Sequence, residues 1–127
     1  MPDPAEIQVW ARTYGPTLDA LRSALEDEMG PLLWDDRTDP STITRHDGST
    51  ATRVGSIHAI GIPLPQLDLE SLTAAVNRVL ITGGFPEQPP MTGSRSGHLV
   101  CEAVDPYRAE LTLLIKDSID AWVEVPA

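Results

Sequence analysis

Three histidines, one cysteine and a scatter of carboxylates are the groups in this chain that could do acid–base, nucleophilic or metal chemistry. His46 and Asp47 are adjacent in the stretch TRHDGST, residues 44 to 50, and a histidine beside an aspartate raises the question of a general-base pair. Neighbouring residues of a strand point to opposite faces, and Asp-Gly between two threonine-rich arms is a strong signal for a two-residue type I′ hairpin turn. The pair is therefore expected at a hairpin tip, with Asp47 and Gly48 chosen for their tolerance of positive φ. A metal centre would need His46, His58 and His98 to converge with Asp35 or Asp36. No two histidines have the HxH or HxxxH spacing that makes such a centre legible, so neither metal nor cofactor is expected.

Nucleophilic chemistry has little support. Cys101 lies in the apolar run HLVCEAV, three residues from His98 and on the opposite face of the same expected strand. A lone cysteine cannot form an internal disulfide, and its setting predicts a buried, inert thiol. No GxSxG elbow occurs. The glycines of ITGGF follow a helix rather than open one, which fits a C-cap and not a phosphate cradle. No catalytic residue is assigned.

The aromatic residues say more about recognition. Trp10 falls in a helical stripe and Trp34 just after a helix, where burial is the ordinary outcome. Trp122 sits between Ala121 and Val123, which belong to a core-facing alternation, so its indole is expected exposed on the other face beside Leu114. Trp122 and Leu114 are the candidate binding residues, an outer-face anchor for a partner, the alternative being that a terminal segment or the Pro-rich loop covers the indole.

These side chains must be positioned by a short series of elements. Asp3, Pro4 and Glu6 read as the start of a helix with Ile7, Trp10, Ala11 and Tyr14 along one stripe. Gly15-Pro16 interrupts it, leaving open one kinked helix or two, and Leu18, Leu21, Leu25 and Met29 continue the apolar spacing to Gly30-Pro31. LLWDDRTDPS reads as a loop. STITRH and STATRV form the hairpin, whose second arm runs on through GSIHAIGI with Val54, Ser56, His58, Ile60 and Ile62 on one face, until Pro63 and Pro65 end it. Asp68 caps a second helix striped by Leu69, Leu72, Val76, Val79 and Leu80 and closed by Gly83-Gly84. FPEQPPMTGSRSG then reads as an irregular or mobile loop.

The remaining third is a meander: HLVCEAV, the turn DPYR, AELTLLIK, a turn near Asp117-Ser118, and IDAWVEV. Leu111, Leu113 and Ile115 alternate, as do Ile119, Ala121, Val123 and Val125, so each strand has a committed core face. Helix, hairpin, helix, three-stranded meander predicts an α+β two-layer sandwich: an antiparallel sheet of about five strands with two amphipathic helices on one face. The hairpin could join either edge of the meander. One such domain accounts for residues 1–127.

A net charge of −10 disfavours phosphate backbones and anionic lipid. Arg45 and Arg53 flank the hairpin and could pair across strands, but two arginines do not make a nucleic-acid surface. No apolar run is long enough to span a bilayer, and MPDPAEIQVWART has no signal-peptide pattern. The chain as given reads as cytoplasmic, or as secreted or of the cell envelope if an export signal has been removed. One lysine against eight arginines points to GC-rich codon usage.

ESLTAAVNRVLITGGF, followed by a loop and LVCEAVDPYRAELTLLIKDSIDAWVEV, resembles the globular part of small secreted or lipid-anchored actinobacterial proteins of unknown function. There, too, a helix ending in Gly-Phe precedes a three-stranded meander. RHDG is a weaker match, and a lipobox cysteine is lacking. The resemblance concerns the fold over the C-terminal half and transfers no site.

The leading expectation is a small acidic, non-enzymatic protein-binding module, with a basic partner or a second copy of the chain on the outer sheet face or an edge strand. The alternatives are a small hydrolase using His46 or His58 with Asp35 or Asp36, and a small-molecule binder with a pocket between sheet and helices under the Phe85 to Gly97 loop.

Overall fold

The computed structural model describes residues 3–35, 40–60, 68–90 and 99–126. In chain order these form α1 (Pro4–Met29), β1 (Leu33–Trp34), β2 (Ser41–Thr44), β3 (Thr50–Ile60), α2 (Leu69–Thr82), β4 (Leu99–Val104), β5 (Glu110–Ile115) and β6 (Ser118–Pro126). The architecture is the expected α+β sandwich, with six antiparallel strands in the order β1-β3-β6-β5-β4 and β2 also paired to β3. The hairpin joins the meander at β6. Since β6 runs along nearly the whole of β3, β1 and β2 share its other edge, β2 at Thr50 to Arg53 and β1 at Ala59 and Ile60.

Both helices start at the expected caps. Asp3 accepts from the amides of Ala5 and Glu6, with Pro4 in the first turn, and Asp68 accepts from those of Glu70 and Ser71. The apolar spacing of α1 carries it through Pro16 as one helix of 26 residues. Pro16 and Arg12, one turn earlier, are both exposed, so the carbonyl that proline leaves without a donor faces water. Tyr14, Leu18, Leu21 and Leu25 lie on the opposite side, buried in the core.

Two glycines end α2 by a Schellman arrangement. Gly84 takes φ 87°, its amide donates to the Ile81 carbonyl, and the Phe85 amide reaches back to that of Leu80 at 2.8 Å. Phe85 thereby enters the core against Tyr14, at 6.0 Å between ring centres. The segment after it is fixed rather than loose as far as Gln88. Asn77 both donates to the Gln88 carbonyl and accepts from its amide, each at 2.9 Å. Residues 91–98 of that segment lie outside the described part, as do 61–67 with Ile62, Pro63 and Pro65.

The core forms between the layers. Leu111, Leu113 and Ile115 of β5 and Ile119, Ala121 and Val123 of β6 are fully buried, against Leu21, Leu25, Leu72 and Leu80 of the helices. Leu69, placed in the α2 stripe from sequence, is exposed at the first helical residue.

Three local features differ from expectation. LLWDDRTDPS is not all loop, because Leu33 and Trp34 pair with Ile60 and Ala59 as β1. Ser56, His58 and Ile60 share a face as expected, but Val54 does not lie on it. A β-bulge between Arg53 and Gly55 turns Val54 inward with Gly55, Ile57 and Ala59, leaving Val54 4% and Ile60 63% exposed. The β2–β3 turn is not a two-residue type I′ turn. The Gly48 amide bonds the Arg45 carbonyl and the Arg45 amide bonds that of Ser49, so the loop has three residues, His46, Asp47 and Gly48. Only Gly48 takes positive φ (85°), whereas Asp47 accepts from the Ser49 amide and hydroxyl.

Candidate functional site

The helices cover one sheet face. The other is built from residues that pair across the strands in three rows. His58, Asp120, Leu114 and Val100 form the first row. Ser56, Trp122, Thr112 and Glu102 form the second, and Arg53, Glu124, Glu110 and Val104 the third. Trp122 therefore lies in the middle of this face, with Leu114 on the diagonal. The alternation that placed both on the outer face holds.

Trp122 is half-buried, not fully exposed as its alternation suggested. Arg53 lies over it, with its guanidinium carbon 4.5 Å from the centre of the indole. The same guanidinium donates to Glu124 Oε1 from Nη2 at 2.8 Å and from Nε at 3.3 Å. Arg45 reaches over from the end of β2 to both Glu110 and Glu124, at 3.2 Å in the latter case. The two hairpin arginines thus meet at one carboxylate of β6, 71 and 79 positions away in sequence. The hydrogen bond to Glu110, and the charges of Glu110 and Glu124, hold the Arg45 guanidinium protonated beyond its ordinary range. The hydrogen bonds from Ser49 hold the Asp47 carboxyl below the usual range.

These residues line an open groove of about 950 Å³. Arg45, Ile43 and His46 of the β2–β3 hairpin wall one side, Glu102 and Val104 of β4 the other, and Thr112, Leu114, Trp122 and Glu124 the floor. Val104 is exposed at the edge of the sheet, where β4 is the last strand in the order.

A second recess, of about 360 Å³, lies on the far side of Trp122. His58 Nδ1 is 2.7 Å from Asp120 Oδ1 there, and the Ser118 hydroxyl donates to Asp120 Oδ2 at 3.2 Å. Asp35 and Ser56 line the same recess, and the Asp35 amide is bonded to the His58 carbonyl. A histidine held at Nδ1 by a carboxylate has its Nε2 free for proton transfer, which is the orientation a general base requires. His58 and Asp120 are each about two-fifths exposed, so water shares the pair.

Of the residues weighed for chemistry, His58 and Asp35 are brought together. His46 lies at the hairpin tip and lines the other recess. His98 and Asp36 fall outside the described residues. No group of three or more metal-ligating side chains forms among the described residues. Cys101 is buried, and burial above all, with the charge of Glu102 second, pushes its thiol up to about 11. Asp120, the partner of His58, is assigned to the outer face by the sequence alternation but not linked to His58. The only signal for that link is cross-strand register, which requires the β3–β6 pairing and the bulge to be known.

An α+β domain with one open sheet face is thus what fold and site define. The chain matches no family model, no curated protein and no solved structure. No helix of the described residues is long and apolar enough to cross a membrane.

Proposed function

We propose that this protein is a non-enzymatic binding module that engages a protein partner through its open sheet face. The observation that carries this is the position of Trp122, at the centre of the face and on the floor of the 950 Å³ groove, flanked by Leu114 and by charged residues at the rim. Large aromatic and arginine side chains at the centre of a patch, ringed by polar groups, are the composition that dominates binding energy at protein interfaces. The space between sheet and helices is filled by Leu21, Leu25, Leu72, Leu111 and Leu113, none with exposed surface, which disfavours a ligand pocket there. The test is affinity capture from lysate with the wild-type chain and with Trp122→Ala. Capture of one stoichiometric partner by the wild type alone supports the module, and equal capture by both refutes it. A partner that is a second copy of this chain appears instead as a concentration-dependent dimer, with β4 offering the edge for strand addition.

One observation favours a second function, a small hydrolase. The His58–Asp120 pair sits beside Ser56, two residues from His58 on the same face, in a recess of about 360 Å³. Ester hydrolysis that is lost in His58→Ala and in Asp120→Asn would support it. Equal, trace rates for all three proteins would end it.

A further inference from the structure

The groove already contains a bound guanidinium, supplied by the chain itself. Arg45 is the one side chain of the turn region, from Thr44 to Thr50, that is tucked in rather than exposed. It extends across the groove to Glu110 of β5 and Glu124 of β6, while β2 pairs only with β3. The acceptors are built for the contact: Glu124 is 13% exposed and takes both Arg45 and Arg53 on its two oxygens. Four carboxylates (Asp47, Glu102, Glu110 and Glu124) and two arginines line this groove. Glu102 has no ion pair among the described residues. With Arg45 withdrawn, four carboxylates would face one arginine, beside the apolar surfaces of Leu114, Trp122 and Val104.

We propose that the groove takes an arginine-bearing segment of a partner protein, whose guanidinium replaces Arg45 at Glu110 and Glu124, so that the β2–β3 hairpin acts as an internal competitor. This rests on the binding-module reading and names the chemistry of its partner. Charge complementarity selects the occupant: a cationic fork matches two carboxylates on neighbouring strands, and its aliphatic stem lies over Leu114 and Trp122. Arginine rather than lysine is favoured, because its planar fork spans paired carboxylates and stacks on indole. Displacement is feasible because ion pairs that retain solvent contact hold weakly. Release from an internal competitor raises apparent affinity in proportion to the open fraction.

The test uses the full chain and an acetylated, amidated Gly-Arg-Gly-Arg-Gly peptide, with its citrulline counterpart as the uncharged control. Arg45→Ala is compared with wild type and with Arg78→Ala, which removes the same charge from an exposed position on α2. The expected result is at least fivefold tighter binding by Arg45→Ala than by either, with backbone amide shifts at Glu110, Trp122 and Glu124 and none with the citrulline peptide. Glu110→Gln added to Arg45→Ala, where no internal competitor offsets the lost acceptor, should weaken binding severalfold, and Arg45→Gln, which keeps most of the stem without the charge, provides the decision if Arg45→Ala unfolds. An Arg45 variant binding no tighter than Arg78→Ala, or the Arg45 variant with Glu110→Gln binding as well as the Arg45 variant alone, overturns the proposal. If capture of a natural partner depends on Trp122 but not on Arg45, internal competition fails and the binding module stands. If Arg45 governs peptide affinity while capture ignores Trp122, the module reading fails instead.

Discussion

The guanidinium of Arg53 lies over the indole of Trp122 at 4.5 Å while holding Glu124 at 2.8 Å. One side chain thus joins a cation–π contact to a charge-assisted fork, across the sheet face opposite α1 and α2. The β-bulge at Val54 makes this possible by resetting the alternation so that Arg53, Ser56 and His58 all point outward.

Arg53→Ala should therefore cost about 1 to 2 kcal/mol, from a partly exposed cation–π contact together with a partly exposed ion pair. Arg53→Lys should recover less than half of that, since it keeps the charge and loses the planar fork. Urea unfolding of the three proteins measures the difference, and an unchanged midpoint for Arg53→Ala contradicts it.

Tyr14 donates its hydroxyl to Asp105 at 2.6 Å in a buried setting, and Asp105 also accepts from the amides of Tyr107 and Ala109. That carboxylate fixes the β4–β5 turn, in which Arg108 takes φ 71°. Tyr14→Phe removes a donor to a buried acceptor and should destabilise by about 1.5 to 3 kcal/mol. A loss under half of that on chemical denaturation would mean that water replaces the phenol.

Stability should fall at alkaline pH. The Cys101 thiol is pushed from its ordinary 9.0 up to about 11, by burial and then by Glu102. Burial and the hydrogen bond to Asp105 raise Tyr14 above its ordinary 10.0. Both groups keep their protons longer in the folded chain, so the unfolded chain binds fewer protons and stability declines with pH. The contribution of Cys101 is complete below 9.0 and lost between there and about 11, while that of Tyr14 begins to be lost above 10.0. Each group steepens the fall toward about 1.4 kcal/mol per pH unit. Denaturation at pH 7, 9 and 10.5 should show the decline, and Cys101→Ala should remove the part that starts first.

Gly83 is needed for space rather than for backbone freedom. A Cβ there would stand 2.6 Å from Thr17 Oγ1 and 3.0 Å from its Cγ2, where α1 crosses the end of α2. Gly83→Ala should cost about 1 to 3 kcal/mol despite the better helix propensity of alanine. Thr17→Ala in the same chain should recover part of the loss, and strict additivity in the double-mutant cycle would rule out the clash.

Much of the frame was legible because it depends on local chemistry. Asp3 and Asp68 cap their helices, Gly83-Gly84-Phe85 closes α2, and the alternations of β5 and β6 assign Trp122 and Leu114 to the outer face. What escaped depends on contacts distant in sequence. The two-residue β1 is too short to show a period, and the bulge at Val54 is a property of the β3–β6 register. His58 with Asp120, and Arg45 with Glu124, are joined only when that register is set. The Asp-Gly signal correctly marked a hairpin but made its loop one residue too short, because Asp47 bonds Ser49 and leaves the positive φ to Gly48 alone.

The central claim is that the open sheet face binds a partner through Trp122, and its most direct measurement is comparative capture from lysate by wild-type and Trp122→Ala proteins of matched thermal stability. One stoichiometric partner retained by the wild type and lost by the variant is the predicted result. A partner retained equally by both, or a variant so destabilised that Trp122 proves to be a core residue, would contradict it.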